Sequence, residues 1–159
     1  MAFENLRKES LKQLRKDLKE AVSDDQLIVN AVNSIEELEK TGNMLVTRLR
    51  EWYALYNPEF EKWMDNQEKF AELIISKDRK TLLKEIKAKE SIGADLPQKD
   101  IDAMMILAKQ ARDNYNAINK IKRYIEFKMD KYCPNLLELV GAMLGAKLIA
   151  KAGSLKRLS

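Results

Sequence analysis

The sequence predicts an all-α protein in the form of an elongated antiparallel coiled coil with a helical insertion at its tip. Glycine and proline are scarce, at 5 and 3 of the 159 residues, while 45% of the residues are hydrophobic and 34% are charged. This composition favours long helices over a turn-rich sheet protein. Two long segments also place apolar residues at alternating steps of three and four, the period of about 3.5 residues that a coiled-coil seam requires.

The amino-terminal segment predicts a basic amphipathic helix. Its apolar residues recur mostly every three or four positions, and lysine and arginine residues lie between them. We interpret residues 1–23 as a linking helix that packs one apolar stripe on the rest of the protein; the alternative is a helix that binds RNA or a membrane surface. The stripe consists of Phe3, Leu6, Leu14, Leu18 and Val22.

The first seam begins after Ser23, which forms a capping-box pattern with Gln26 and so predicts a helix start. Asn57 and Pro58 predict the end of this helix and the start of another, because proline cannot continue the hydrogen-bond ladder but suits a first helical turn. The seam positions between these two points are Leu27, Ala31, Ile35, Leu38, Gly42, Leu45, Leu49 and Trp52.

Residues 57–97 are predicted to form the helical tip. Residues 59–90 carry two short helical patterns divided near Ser76, and the small residues, glycine and proline of residues 91–98 predict a loop. The second of these helices is rich in basic residues, namely Lys77, Arg79, Lys80, Lys84, Lys87 and Lys89.

The second seam runs from Asp100 to Tyr132. Because the tip is long enough to reverse the chain, residues 24–132 are predicted to form an antiparallel helix pair. Apolar residues beside the seams, such as Ile28 and Met44, leave surface for another helix or for a second copy, and burial against a second copy would favour a symmetric homodimer. The second-seam positions are Ile101, Met105, Ala108, Ala111, Tyr115, Ile118, Ile121, Ile125, Met129 and Tyr132.

Residues 133–159 predict a further helix beyond the second seam. Cys133 and Pro134 end the long helix, and Asn135 with Glu138 predicts the N-cap of the next one. Gly153, followed by a serine, predicts a C-terminal stop and a new start.

This last segment also carries two features that suggest a binding role. Gly141 and Gly145 lie four residues apart and give the helix a strip without side chains for close helix packing. Every charge after Glu138 is positive, and the net charge of +4 permits a polyanionic partner. The side chains that can each contact a phosphate are Lys147, Lys151, Lys156 and Arg157.

The chain lacks the residues that catalysis and metal binding most often use. It has no histidine and a single cysteine, Cys133, which excludes an intrachain disulfide and zinc-finger ligand spacing. It also lacks the glycine-rich motifs that hold nucleotide phosphates. We therefore expect a non-catalytic protein with no cofactor and no metal. With no signal peptide and no apolar run of about 18 residues, we expect a soluble intracellular protein without a membrane partner.

Two motifs resemble, in this order, the Nop family of box C/D ribonucleoprotein core proteins, particularly its archaeal members: RLREWYALYNPEF, residues 48–60, and PNLLELVGAMLGAKLIAKAGSLKRLS, residues 134–159. The resemblance covers residues 3–159 and implies that residues 133–159 begin a Nop domain that is truncated here. The matching positions, mainly structural, are Trp52 and Tyr53 in the first motif and Asn135, Leu136, Val140, Gly141, Gly145, Ala146, Leu148, Ile149, Ala152, Gly153 and Leu155 in the second.

The resemblance implies a scaffold that dimerises through its coiled coil. Such a scaffold bridges box C/D guide RNA, a kink-turn-binding ribosomal-type protein and the methyltransferase fibrillarin, which performs the RNA 2′-O-methylation. It also implies a fragment of a longer protein, cytoplasmic in an archaeal source and nucleolar in a eukaryotic one. The alternatives are a spliceosomal Nop-domain relative that binds a small nuclear RNA and a helical interaction module without an RNA role. The RLREWY motif favours the box C/D branch.

Overall fold

The computed structural model describes residues 2–20 and 22–158, and every regular element in these residues is an α-helix, which confirms the all-α prediction. Side chains are described for residues 6–19 and 22–158. The helices are α1 (Ala2–Glu20), α2 (Asp24–Tyr53), α3 (Pro58–Trp63), α4 (Gln67–Ser76), α5 (Arg79–Glu85), α6 (Gln98–Tyr132), α7 (Pro134–Val140), α8 (Ala142–Ala152) and α9 (Leu155–Leu158).

The chain divides into two compact units. The terminal unit comprises Met1–Ser34 and Lys122–Ser159, and the central unit comprises Ile35–Ile121. Among the residues that the structure describes, no helix is both long enough and apolar enough to span a membrane.

In the central unit, α2 and α6 run in opposite directions. The Asn114 side-chain amide donates to the Leu38 carbonyl at 2.7 Å, whereas Tyr53, at the end of α2, lines a cleft with Ile101, at the start of α6. This arrangement follows the predicted antiparallel order of the two helices. The core between them and the tip contains Val46, Leu49, Tyr53, Phe60, Phe70, Ala71, Ile74, Leu82, Met104, Ala108 and Ala111.

The predicted seam residues differ in burial. Leu27 and Trp52 are exposed, so their assignment to the buried seam was wrong. α2 carries apolar residues on two adjacent stripes one position apart, and the fold buries the neighbours Ile28 and Tyr53 instead. Of the other seam residues, Ile35, Leu49, Ile118, Ile125 and Met129 are buried, and Leu38, Leu45, Ile101, Met105 and Tyr115 are half-buried.

The tip contains three helices rather than the predicted two. The division near Ser76 is present, but the first predicted helix is also broken after Trp63, where Met64 is extended with φ −96° and ψ 99°. Asn66 then caps α4, because its side-chain oxygen accepts the Lys69 amide at 2.8 Å. The sequence prediction missed this second cap.

Arg79 fastens the loop of residues 91–97 to the tip. Its guanidinium donates to the Gly93 carbonyl at 2.8 Å and to the Asp95 carboxylate at 2.9 Å, and it lies 4.7 Å from the centroid of the Tyr56 ring. The Ala94 amide also donates to the Leu55 carbonyl at 2.8 Å. The loop is therefore held by both side-chain and backbone contacts.

Lys87 has an unusual backbone conformation at the end of α5. Its φ is 57°, the left-handed region that glycine normally supplies at this place. The Lys87 amide donates to the Lys84 carbonyl at 3.1 Å, and the Ala88 amide donates to the Leu83 carbonyl at 3.0 Å. These two bonds define a Schellman cap with a lysine in the glycine position.

We expect Lys87→Gly to raise the free energy of unfolding by about 1 kcal/mol, because glycine relieves the strain of the left-handed conformation. Urea unfolding followed by circular dichroism measures the change. The matched control is Lys84→Gly, which places glycine in a right-handed helical position and should lower stability by about 1 kcal/mol. Equal destabilisation by both variants would contradict the strain assigned to Lys87.

The terminal unit contains one helix more than predicted in residues 133–159. Gly141 has φ 80° and ψ 163° and separates α7 from α8, where the sequence predicts a single helix. Asn135 lies inside α7 and is exposed, so it is not the N-cap; that position belongs to Cys133, which makes no side-chain capping bond.

Of the two glycines predicted to allow close helix packing, Gly145 is closely packed and Gly141 is open. A Cβ on Gly145 would lie 2.6 Å from Met129 Cε, so this glycine permits a close approach, whereas a Cβ on Gly141 would meet nothing within 4 Å.

The apolar residues of α1 do not pack as predicted, because Leu6, Leu14 and Leu18 are 66%, 53% and 62% exposed. Val22 is also exposed, and the Phe3 side chain lies outside the described residues.

Candidate nucleic-acid interface

The last helix is positioned by a carboxylate from the first turn of α2. Asp25 is only 9% exposed, and its Oδ1 accepts the backbone amide of Leu155, the first residue of α9, at 3.0 Å. Beside it, Asp24 accepts a hydrogen bond from Lys128 Nζ of α6 at 2.5 Å. Asp24 and Asp25 therefore hold α6 and α9 to the start of α2.

The same carboxylate affects two neighbouring groups. Burial, and then the hydrogen bond and charge of Asp25, raise the pKa of Tyr132. Burial, followed by the charge of Asp25, raises the pKa of the Cys133 thiol. Cys133 is 6% exposed and stays protonated at neutral pH, so it lacks the thiolate character of a nucleophile.

α8 separates its charged residues from its packing residues. Lys147 and Lys151 are exposed and lie one helical turn apart, whereas Gly145, Ala146 and Ile149 are buried. Lys151 is in the last turn, where the helix dipole favours a positive charge. One face of α8 thus packs on the rest of the terminal unit, and another face presents ammonium groups to solvent.

A tight turn leads from α8 to the remaining cations. Gly153 ends α8 in the left-handed conformation, with φ 86°, and its amide donates to the Ile149 carbonyl at 2.8 Å. Ser154 then accepts the Arg157 amide at 3.2 Å through its hydroxyl, which confirms the predicted stop and restart. A Cβ on Gly153 would lie 3.5 Å from Arg157 Nη1, so this guanidinium lies beside the end of α8.

The four predicted phosphate-contacting residues all lie on two adjacent helices. Lys147 and Lys151 are on α8, Lys156 and Arg157 are on α9, and all four are exposed. α8 and α9 pack against each other. We call these four residues the terminal basic cluster. Such a cluster can bind the phosphates of a nucleic acid without reading its sequence.

Tyr53, an aromatic residue of the first motif, is buried in packing contacts and is not open for base stacking. Tyr53 is 2% exposed and packs edge-to-face on Phe70 with ring centroids 5.5 Å apart. Burial, partly offset by a hydrogen bond with Asn57, raises the pKa of Tyr53 to about 12. In the described residues, no group of three histidine, cysteine, aspartate or glutamate side chains is placed to hold a metal ion.

Sequence reasoning missed the roles of Asp25 and Arg79. Asp25 is the second of two acidic residues in a capping segment, and the pattern identifies a helix start but not a long-range partner. Arg79 was one of several basic residues in a short helix, and only the fold places it on the Tyr56 ring and the loop of residues 91–97.

Comparison with known proteins agrees with the two sequence motifs. Residues 34–159 match the family model described as "Nop: snoRNA binding domain, fibrillarin". The chain is 34% identical over 151 residues to a NOP5 family protein of Methanocaldococcus jannaschii, a match that covers 85% of this chain and 36% of the relative.

Two eukaryotic relatives show similar matches. Nucleolar protein 58 of Botryotinia fuckeliana is 33% identical over 151 residues, which cover 85% of this chain and 27% of the relative. Nucleolar protein 56 of Dictyostelium discoideum is 34% identical over 158 residues, which cover 85% of this chain and 29% of the relative. The chain therefore spans about a third or less of the length of these curated relatives.

Proposed function

The chain belongs to the Nop family, and we propose that it acts as part of the scaffold subunit of a box C/D guide ribonucleoprotein. The scaffold binds guide RNA together with a kink-turn-binding ribosomal-type protein and holds the methyltransferase fibrillarin for RNA 2′-O-methylation. The methyl transfer itself belongs to fibrillarin, so this chain is not an enzyme. Support comes from the family description, which names snoRNA binding and fibrillarin, and from the relatives named NOP5, nucleolar protein 56 and nucleolar protein 58.

The terminal basic cluster is the observation that carries this proposal. Its four cations lie on helices that are fixed by the buried residues Asp25 and Gly145 and by the cap at Gly153, so charge is presented from a defined surface. Every charged residue after Glu138 in the sequence is positive. A phosphate backbone matches this surface better than an apolar partner does, because exposed ammonium and guanidinium groups retain their charge and donors.

We propose the following organisation and assembly for the scaffold. Residues 1–23 act as a linking helix, residues 24–132 as the coiled-coil domain with its tip at 57–97, and residues 133–159 as the start of the Nop domain. A homodimer forms through the coiled coil, and the exposed Met44 and Ile106, at 69% and 72%, supply apolar surface for a second copy. The protein is cytoplasmic in an archaeal source and nucleolar in a eukaryotic one.

Replacing Lys147, Lys151, Lys156 and Arg157 together with alanine tests the function. We expect weaker binding of a fluorescein-labelled box C/D guide RNA and a salt dependence that is flatter by about three in the slope of log K against log salt, because each lost phosphate contact removes roughly 0.7 to 0.9. Fluorescence anisotropy of the full 159-residue chain across a salt series measures both quantities.

The matched control replaces four exposed lysines on α2 and α6 with alanine, so that the net charge falls by the same amount. A slope that is unchanged in the cluster variant, or that falls equally in the control, would reject the terminal basic cluster as the RNA contact. Circular dichroism confirms that both variants stay helical. The control positions are Lys40, Lys99, Lys109 and Lys120.

A further inference from the structure

A second group of cations lies at the tip of the central unit, on α5 and the turn that follows it. We call Lys80, Lys84, Lys87 and Lys89 the tip basic surface; all four side chains are exposed. Lys80 and Lys84 are one helical turn apart and share a face of α5. On the other side of the helix Leu82 is completely buried, so the orientation of α5 is fixed by the core.

Acidic residues near this surface are mostly engaged with other partners. Glu85 pairs with Lys77, Asp78 caps α5 by accepting the Thr81 amide, and Asp95 pairs with Arg79. Glu90 follows Lys89 in the chain and offsets one charge. Salt bridges between described residues do not include the side chains of Lys84, Lys87 or Lys89, so the surface keeps an excess of positive charge.

The backbone at Lys87 adds an independent argument. This residue occupies the left-handed position of the Schellman cap, with φ 57°, where glycine has no steric penalty. The chain therefore carries a lysine at a position where its conformation is unfavourable. Strained residues that persist in a well-packed region often have a role for the side chain itself, and here the side chain supplies an exposed ammonium group.

We propose that the tip basic surface is a second contact for the phosphate backbone of RNA, in addition to the terminal basic cluster. This inference rests on the proposed function, because RNA is the polyanion that the chain is proposed to hold. Contacts from lysine ammonium groups to phosphates add affinity and salt dependence without base specificity. The lysines on α5 and its cap act together, and no base or nucleotide identity is selected by them.

Lys87→Gly separates binding from stability, since glycine should be at least as compatible with the cap as lysine. In the 159-residue chain we expect this variant to stay folded and to flatten the salt slope for a fluorescein-labelled box C/D guide RNA by about 0.7 to 0.9. The stronger variant, Lys84→Gln, Lys87→Gln and Lys89→Gln together, should flatten the slope by about two to three. Fluorescence anisotropy over a salt series measures both.

The matched control is Lys99→Gln, Lys109→Gln and Lys120→Gln together, which removes the same charge from exposed lysines on α6. Equal loss in this control would show an effect of net charge and overturn the tip site. If the unaltered chain binds guide RNA and both tip variants bind it with the same affinity and salt slope, the tip site is overturned. The proposed function is then left intact. Absence of guide-RNA binding by the unaltered chain would overturn both.

A polyglutamate peptide of similar charge, labelled in the same way, distinguishes RNA from an acidic protein partner. We expect the triple tip variant to lose guide-RNA binding more than polyglutamate binding. Loss of polyglutamate binding with unchanged RNA binding would assign the surface to an acidic protein and overturn the proposal.

Discussion

Tyr53→Ala is expected to lower the free energy of unfolding by about 3 to 5 kcal/mol, the range for removing a buried aromatic side chain. Tyr53 is 2% exposed and forms edge-to-face contacts with Tyr56, Phe60 and Phe70, with centroid distances of 5.7, 6.4 and 5.5 Å. Alanine would remove three aromatic contacts and leave a cavity between α2 and the tip. Urea unfolding monitored by circular dichroism gives the change.

The neighbouring residue provides the matched control. Trp52 is 40% exposed, so Trp52→Ala should cost about 1 kcal/mol or less despite the larger side chain. The comparison also tests the phase of the buried stripe on α2. A larger loss of unfolding free energy for Trp52→Ala than for Tyr53→Ala would support the seam position predicted for Trp52. It would contradict the expectation that the buried Tyr53 contributes more to stability.

Gly93→Ala is expected to cost about 3 kcal/mol, at the upper end for overpacking, because the new methyl group would meet backbone rather than a flexible side chain. A Cβ at Gly93 would collide with the Tyr56 carbonyl and lie 2.8 Å from Pro58 Cδ. The loop cannot move away easily, since Arg79 holds the Gly93 carbonyl at 2.8 Å. Urea unfolding measures the loss of stability.

Limited proteolysis reports where that loss occurs. We expect faster cleavage within residues 91–97 in Gly93→Ala, because the strained loop separates from the tip. The matched control is Ile92→Ala in the same loop; Ile92 is 91% exposed, so its truncation should change neither unfolding nor cleavage. A stable, protease-resistant Gly93→Ala variant would mean that Tyr56 and the loop shift apart without cost.

The features that the sequence predicted correctly depend on local chemistry. Ser23 accepts the Gln26 amide at 3.4 Å, Asn57 caps α3 ahead of Pro58, and Gly153 ends α8. Each of these residues acts on backbone groups within four positions, so spacing along the chain is sufficient to identify them. The positions of the four cations on α8 and α9 follow from the same local rules.

The features that the sequence did not predict depend on long-range packing. Ile28 and Tyr53 compete with Leu27 and Trp52 for the buried side of α2, and periodicity alone does not decide between adjacent stripes. Gly141 continues a helical pattern in sequence, yet its positive φ of 80° breaks the helix. The left-handed backbone of Lys87 likewise cannot be predicted from the sequence, because lysine is a common residue in helices.

The hydrogen bond between Asp25 and the Leu155 amide joins residues 130 positions apart, and this separation sets an order for folding during synthesis. All residues of the central unit, Ile35–Ile121, are synthesised before Leu155, so this unit can form its own core without that hydrogen bond. The terminal unit combines residues from both sides of the central unit, so it closes only after the residues that follow Ile121 have been synthesised. The terminal basic cluster therefore gains its final support only after the central unit has been synthesised, which keeps an incomplete chain from presenting it in the folded form.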